Sequence, residues 1–184
     1  MSLFRSGRRQ FERELVALLP RMRRFGLTLT GNDDVSDDLV QASVERALSR
    51  WRQFKPGTRL DRWLFAIMHS TWKNELRSRA IRRGAGFIDP DSLVLDDSPR
   101  LIANADLAKT VRRVLMLPEA QRVVVLMVYV EGYSYREASE LLEVPIGTIT
   151  SRLARARIEL AQPESSDDSV PQPDSKPSMN LVRD

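Results

Sequence analysis

Three arginines, Arg152, Arg155 and Arg157, follow three small hydroxyl side chains, Thr148, Thr150 and Ser151, within about three turns of a helix. A guanidinium can fork onto guanine O6 and N7 or onto a phosphate, and short hydroxyls can reach either. The element that would carry them is written into residues 134–157. Ser134 is placed to cap a helix, and Glu137 three residues on completes a capping box. Ala138, Leu141 and Leu142 form a narrow apolar face at helical spacing. Val144 precedes Pro145 and is biased out of the α region, whereas Pro145 fits the first turn of a new helix. Ile146, Ile149 and Leu153 supply that helix's inward stripe, so Thr148, Thr150, Ser151, Arg152 and Arg155 face elsewhere. One bracing helix followed by a polar, arginine-bearing one is the pattern of a helix-turn-helix that reads the major groove. An αα-hairpin with a solvated basic face fits the same spacing.

Asp33, Asp34, Asp37 and Asp38 form a second constellation, just after the turn signal Gly31-Asn32. Carboxylates there suit the positive end of a helix dipole. They would also suit a carboxylate metal site, but no other ligand cluster accompanies them. The chain has no cysteine and one histidine, His69, which excludes disulfides and thiolate chemistry and leaves no His-based metal site or Ser-His-Asp triad. No cofactor is expected.

The 184 residues suit one large domain or two small ones, and 42% apolar content is enough for real cores. The net charge of +4 hides a strong imbalance. From Asp89 to Asp106 five acids face Arg100 alone, and from Ala161 onward five acids face Lys176 and Arg183, so the remainder sums to about +11. Basic modules set apart from acidic segments suggest a polyanionic partner. No apolar run approaches the ~18 residues of a membrane span, and the basic start lacks the apolar core of a signal peptide. A soluble cytoplasmic protein without membrane insertion is expected.

Periodicity divides the chain into elements. Phe11, Leu15, Leu18 and Leu19 begin an amphipathic stripe, and Phe25, Leu27 and Leu29 continue it beyond Pro20. Leu39, Val40, Val44, Ala47, Leu48 and Trp51 run down a second helix before Lys55-Pro56-Gly57 breaks the chain. A third helix over about 60–83 starts with Trp63, Leu64, Phe65, Ile67 and Met68 and then turns basic at Lys73, Arg77, Arg79, Arg82 and Arg83. Residues 85–104, punctuated by Gly86, Pro90 and Pro99, read as a linker. Leu107, Val111, Val114 and Leu115 are spaced for a helix ending near Pro118. Val123 to Val130 is almost continuously apolar; its valines suit a strand, but its length and neighbours favour a buried helix ended by Gly132. Residues 161–184, with four prolines and five serines among acids, read as a disordered tail. The expected fold is all-α, with two small helical domains at 1–84 and 105–160 joined by a flexible acidic linker.

DDLVQASVERAL at 37–48, RWLFAIMHSTWKNELR at 62–77, and LPEAQRVVVLMVYVEGYSYREASELLEVPIGTITSRLARAR at 117–157 follow one another at telling distances. In that order the chain resembles the extracytoplasmic-function (ECF) sigma factors of the sigma-70 family, over about 11–160. The resemblance implies a transcription initiation factor without catalytic activity, acting in a stress or envelope response. It implies core RNA polymerase, promoter DNA and an anti-sigma protein as partners. Domain 1–84 would be of the sigma region 2 type and 105–160 of the region 4 type. The second helix would dock on polymerase through Leu39, Gln41, Val44 and Leu48, although Ala42 stands where the family often has an acid and Val44 where an aromatic is common. Residues 63–83 would recognise and open the −10 element. Lys73, Asn74 and Arg77 would supply cations and an amide, and Ser70 would capture a flipped base where the family usually has Asn. Trp72 would offer a stacking surface, and Trp63, inside an apolar run, reads as core. Thr150, Ser151, Ala154 and Arg155 would face the −35 bases, with Arg152, Arg157 and Thr148 on phosphates. The linker's charge would suit the polymerase's basic RNA channel or a plain solvated tether. Two other functions fit parts of the chain: a helix-turn-helix regulator that never binds polymerase, and a nucleic-acid enzyme using the carboxylates at 33–38.

Overall fold

The computed structural model describes residues 2–82 and 105–162, and those residues contain helices and no strand. The linker at 85–104, the tail beyond Gln162 and the arginine Arg83 lie outside the described residues. Helix α1 spans Ser2–Thr30, α2 Asp33–Ser49 and α3 Leu60–Arg82, with a short 3-10 turn at Trp51–Gln53. Helices α4 Ala105–Met116, α5 Glu119–Val125, α6 Tyr135–Leu142 and α7 Ile146–Ala161 make the second unit.

Pro20 does not divide the first helix: α1 runs straight through it. The carbonyl deprived of its donor is that of Val16, which sits on an exposed turn where water can replace the lost bond. Beyond the proline, Met22, Phe25 and Leu29 are fully buried against α2 and α3, which outweighs the local cost. Gly31 then takes φ 67° and turns the chain, and the Asn32 side chain accepts from Val35 N at 2.9 Å to start α2. The core of this unit centres on Phe25 and Phe65, whose rings lie 4.7 Å apart, with Leu64, Met68 and Trp72 around them. A second aromatic cluster of Phe11, Phe54 and Trp63 closes one end at ring distances of 5.7–6.0 Å. Trp63 is thus packed among rings, as its apolar setting implies.

In the second unit α5 and α6 pack on α7 around Val124, Met127, Leu141, Ile149 and Leu153. The apolar stretch 123–130 is helical, but its last five residues, Leu126–Val130, widen into a π-turn before Gly132 at φ 70°. Ser134 and Glu137 form the expected capping box, with Ser134 N donating to the Glu137 carboxylate at 2.9 Å. The α6–α7 break differs in two details. Pro145 is the N-cap of α7 rather than its first helical residue. Ile146 is half exposed, so the inward stripe is Ile149, Leu153 and Ala156, which follow at i, i+4 and i+7. Ile146 starts the helix one turn too early to reach the core.

The two units also pack on each other, α5 against α1 and α6 against α3. Tyr133 is buried with its ring 6.3 Å from Phe65. Arg122, buried in α5, donates Nε–H to the Thr28 carbonyl of α1 at 2.9 Å and Nη1–H to the Leu115 and Leu117 carbonyls. Nothing in the periodicity announces this seam, because its partners stand far apart in sequence.

The cap of α6 gives a direct check. Ser134→Ala should lower stability by about 1 kcal/mol in urea unfolding, and Ser134→Thr should recover most of it.

Candidate nucleic-acid interface

Helix α7 presents Thr150, Ser151, Ala154 and Arg155 to solvent. Ile149, Leu153 and Ala156 hold it on its other side against α5 and α6. The Thr150 and Ser151 hydroxyls donate back to the Ile146 and Thr148 carbonyls, both at 3.1 Å, which leaves their lone pairs facing out. Arg155 has no hydrogen bond or ion pair among the described residues and is free to reach a base edge. Thr148 and Arg152 are half-buried at the margin of this face. Arg157 is held: its Nε–H donates to the Tyr129 hydroxyl at 2.7 Å, with the guanidinium 5.7 Å from the ring.

On α3, Ser70, Asn74 and Arg77 are exposed and Lys73 is half-buried. Trp72 is not a surface ring. It is 1% exposed, with Arg79 lying 5.5 Å above its ring, so in this arrangement it supports α3 from inside and cannot stack on a base. Of the residues on α2, Gln41 is exposed and donates to Glu45 at 3.2 Å, while Leu39 is buried and Val44 and Leu48 are half-buried against the core. The carboxylates at the start of α2 gather no metal-binding group of three or more ligands among the described residues. Asp33 and Asp34 lie in the helix's first turn and Asp37 pairs with Arg23 at 2.9 Å. A cleft of about 430 Å³ is lined by residues of α2 and α3, among them Leu39, Ala42, Arg46, Trp72, Asn74 and Arg79.

The seam between the units brings together residues that sequence reasoning missed. Glu131, after the π-turn, accepts from Arg21 at 2.6 Å and from Arg24 at 3.2 Å. Arg21 also donates to Asp61 at 2.8 Å, Asp61 accepts from Arg59 at 2.9 Å, and Arg59 reaches Glu137 at 3.4 Å. Glu131, Arg21, Asp61, Arg59 and Glu137 therefore alternate in sign across the seam. Further along α6, Glu140 pairs with Arg62, and Glu143 with Lys73 at 3.0 Å. The exposure of these carboxylate side chains rises in order, from 2% at Glu131 through 30% and 55% to 72% at Glu143. The spacing of Glu137, Glu140 and Glu143, every third residue, was the one sequence signal of an acidic face. Its basic counterpart is the set Arg62, Lys73 and Arg77, spaced to share one face of α3.

The electrostatics follow from these contacts. Burial alone would raise the Asp61 pKa, but hydrogen bonds from Arg59 and Arg21 outweigh it and hold the carboxyl at about 2. Burial pushes the Tyr133 phenol above its usual range, with the Asp61 charge adding to it. His69, half-buried on α3, is lowered to about 4, first by burial and then by the nearby Lys73 cation, with Glu143 opposing and Arg152 adding slightly. The hydrogen bond from Lys73 lowers the Glu143 carboxyl.

Two windows of pH sensitivity result. A histidine with a depressed folded pKa contributes stability above its unfolded value of 6.5 and loses it as pH falls toward 4, because only the unfolded chain takes up the proton. Asp61 acts lower, losing its contribution as pH falls from 3.8 toward 2. Thermal melts from pH 7 to 4 should show a decline that His69→Gln largely removes, while the decline below pH 4 persists.

Comparison with known proteins places familiar modules on both units. A family model described as "Sigma-70, region 4" matches residues 108–160, and one described as "Sigma2 domain of PhyR" matches residues 15–69. The chain is 34% identical over 149 residues to the ECF RNA polymerase sigma factor EcfG of Rhodopseudomonas palustris, covering 80% of this chain and 81% of that protein. It is 28% identical to the RNA polymerase sigma-H factor of Pseudomonas aeruginosa, over 83% of this chain and 85% of the other. Among solved structures it superposes on the sigma factor RpoE of Bartonella quintana, crystallised with the anti-sigma factor NepR, at a TM-score of 0.68 and 30% identity. That match covers 82% of this chain and 94% of the other.

Proposed function

The chain belongs to the ECF RNA polymerase sigma factors of the sigma-70 family, and from that premise we propose how its two units divide the reading of a promoter. It is a sigma factor that directs promoter-specific transcription initiation. The observation that carries this is the match to a named ECF sigma factor across four-fifths of both chains, with a region 2-type and a region 4-type module in the expected order.

Residues 105–160 grip the −35 duplex. α7 enters the major groove with Thr150, Ser151, Ala154 and Arg155 toward base edges, while Thr148, Arg152 and Arg157 fix register on phosphates. The exposure of Arg155 and the anchored Nε of Arg157 support that division between reading and holding. Residues 1–84 bind core polymerase through the α2 face of Gln41, Val44 and Leu48. Leu39, being buried, shapes that face from beneath. Ser70, Lys73, Asn74 and Arg77 of α3 then capture the opened −10 strand, with cations along the backbone and short polar groups for an extruded base. Trp72 gives α3 its footing. The free energy comes from binding and base capture, so the chain performs no catalysis of its own. An anti-sigma protein is proposed as its regulator, because the Bartonella relative was crystallised with one. A regulator that never contacts polymerase is not favoured, since it leaves residues 15–69 without a task.

Run-off transcription tests the reading: core polymerase supplemented with this chain should yield promoter-specific transcripts, and none would sink it. Arg155→Ala should cost about 1–3 kcal/mol in −35 duplex binding and relax preference at one base pair. A uniform loss across all sequences would make Arg155 a phosphate contact instead.

A further inference from the structure

Helix α3 carries one stripe, polar but for Ala66, along most of its length. Arg62, Ala66, Ser70, Lys73 and Arg77 follow at spacings of four, four, three and four residues, so they share a face. Ser70, Lys73 and Arg77 of this stripe are −10 residues in the proposed function, on which this inference rests. Arg62 extends the stripe by two turns toward the start of α3, and Arg59 stands just before the helix. Arg59, Arg62 and Lys73 are the cations that α6 covers, through Glu137, Glu140 and Glu143 respectively.

The backbone at Glu143 argues that this cover is selected rather than incidental. Glu143 has φ 55° and ψ 42°, the only positive φ among the described non-glycine residues. A helix ending in this conformation ordinarily takes glycine or asparagine, because a Cβ there is strained. Here the position instead carries a carboxylate, and that carboxylate meets Lys73. Strain kept at a charged position points to a task for the charge.

We propose that Arg59, Arg62 and Lys73 form a binding strip for single-stranded DNA phosphates, and that Glu137, Glu140 and Glu143 occupy it as internal substitutes for those phosphates. The strip then lengthens the −10 surface beyond Lys73 to Arg62 and Arg59. It is bared only when α6 leaves α3. A carboxylate and a phosphate oxygen offer a guanidinium the same charge-assisted bonds, so DNA and α6 compete for one set of cations. Glu137 keeps its second bond, to Ser134, whether or not Arg59 is engaged.

The test measures binding of a fluorescent single-stranded oligonucleotide to the full chain, without polymerase, across a salt series. The E137Q/E140Q/E143Q variant keeps side-chain volume, and Gln at 137 still completes a capping box. It should bind several-fold more tightly at low salt, and its log K against log salt should steepen by about 1.4, near 0.7 for each of Arg62 and Lys73, since Arg59 keeps its bond to Asp61. Adding R62Q should reverse about half of that steepening. E140Q alone, which uncovers only Arg62, should steepen the slope by about 0.7. A charge-matched control, E14Q/D34N/E45Q, removes three exposed carboxylates from α1 and α2 and should gain far less. No gain in a folded triple variant, an equal gain in the control, or a gain indifferent to R62Q would each overturn the proposal. Such a failure leaves run-off activity with core polymerase untouched, so it is separable from failure of the sigma-factor reading.

Discussion

A carboxylate almost without solvent needs cations beside it, and Glu131 is that carboxylate here. Taking an ionised group out of water costs several kcal/mol unless it is paired and hydrogen-bonded. Arg21 and Arg24 of α1 meet that need from the other unit. Because Arg21 is shared with Asp61, and Asp61 with Arg59, the burial of one residue fixes the positions of four others. The Tyr133 ring, two residues after Glu131, is seated by the same contact against Phe65 and under the Arg59 guanidinium, 4.4 Å away. The register of α6 on α3 follows from it, and with that register the meeting of every later ion pair.

Arg122 meets the same constraint with the opposite sign. Its buried guanidinium donates to backbone carbonyls, one of them Thr28 O near the end of α1. The C-terminal end of a helix is the negative end of its dipole, so a cation is favoured there. The two units thus exchange an anion held by arginines for a cation held by a helix end, and neither charge is stranded.

How much of this was legible depended on sequence distance. The capping box at Ser134 and Glu137 spans one turn, so it could be read from residue types alone. Amphipathic periods located α2 and α3 to within a residue or two, and the start of α7, because each stripe is a local record of which face is buried. Pro20 stands inside α1 although local chemistry disfavours proline in a helix, because the packing of Phe25 and Leu29 overrides it. Ile146 and Trp72 show the converse limit. Ile146 has the type of a core residue at a position just short of the core, and Trp72 has the type of a stacking ring but lies on the inward face of α3. Among the site residues, the exposed ones on α7 could be named from the pattern. The cover over Lys73 could not, since Glu143 is seventy residues away and nothing local marks the pairing.

The ordered exposure of the seam's carboxylates has a mechanical consequence. Salt and water weaken an ion pair in proportion to its exposure, and exposed pairs hold by only about 0–1 kcal/mol each. The pairs at Glu143 and Glu140 can therefore break while Glu131 and Arg122 stay engaged. Such a joint peels from one end and swings about the other. The N-terminal end of α7, adjoining Glu143, would then travel farthest from α3 while the dry end serves as the pivot. The exposed pairs between α6 and α3 would part first, and dismantling the buried end of the seam would be a different and much costlier event.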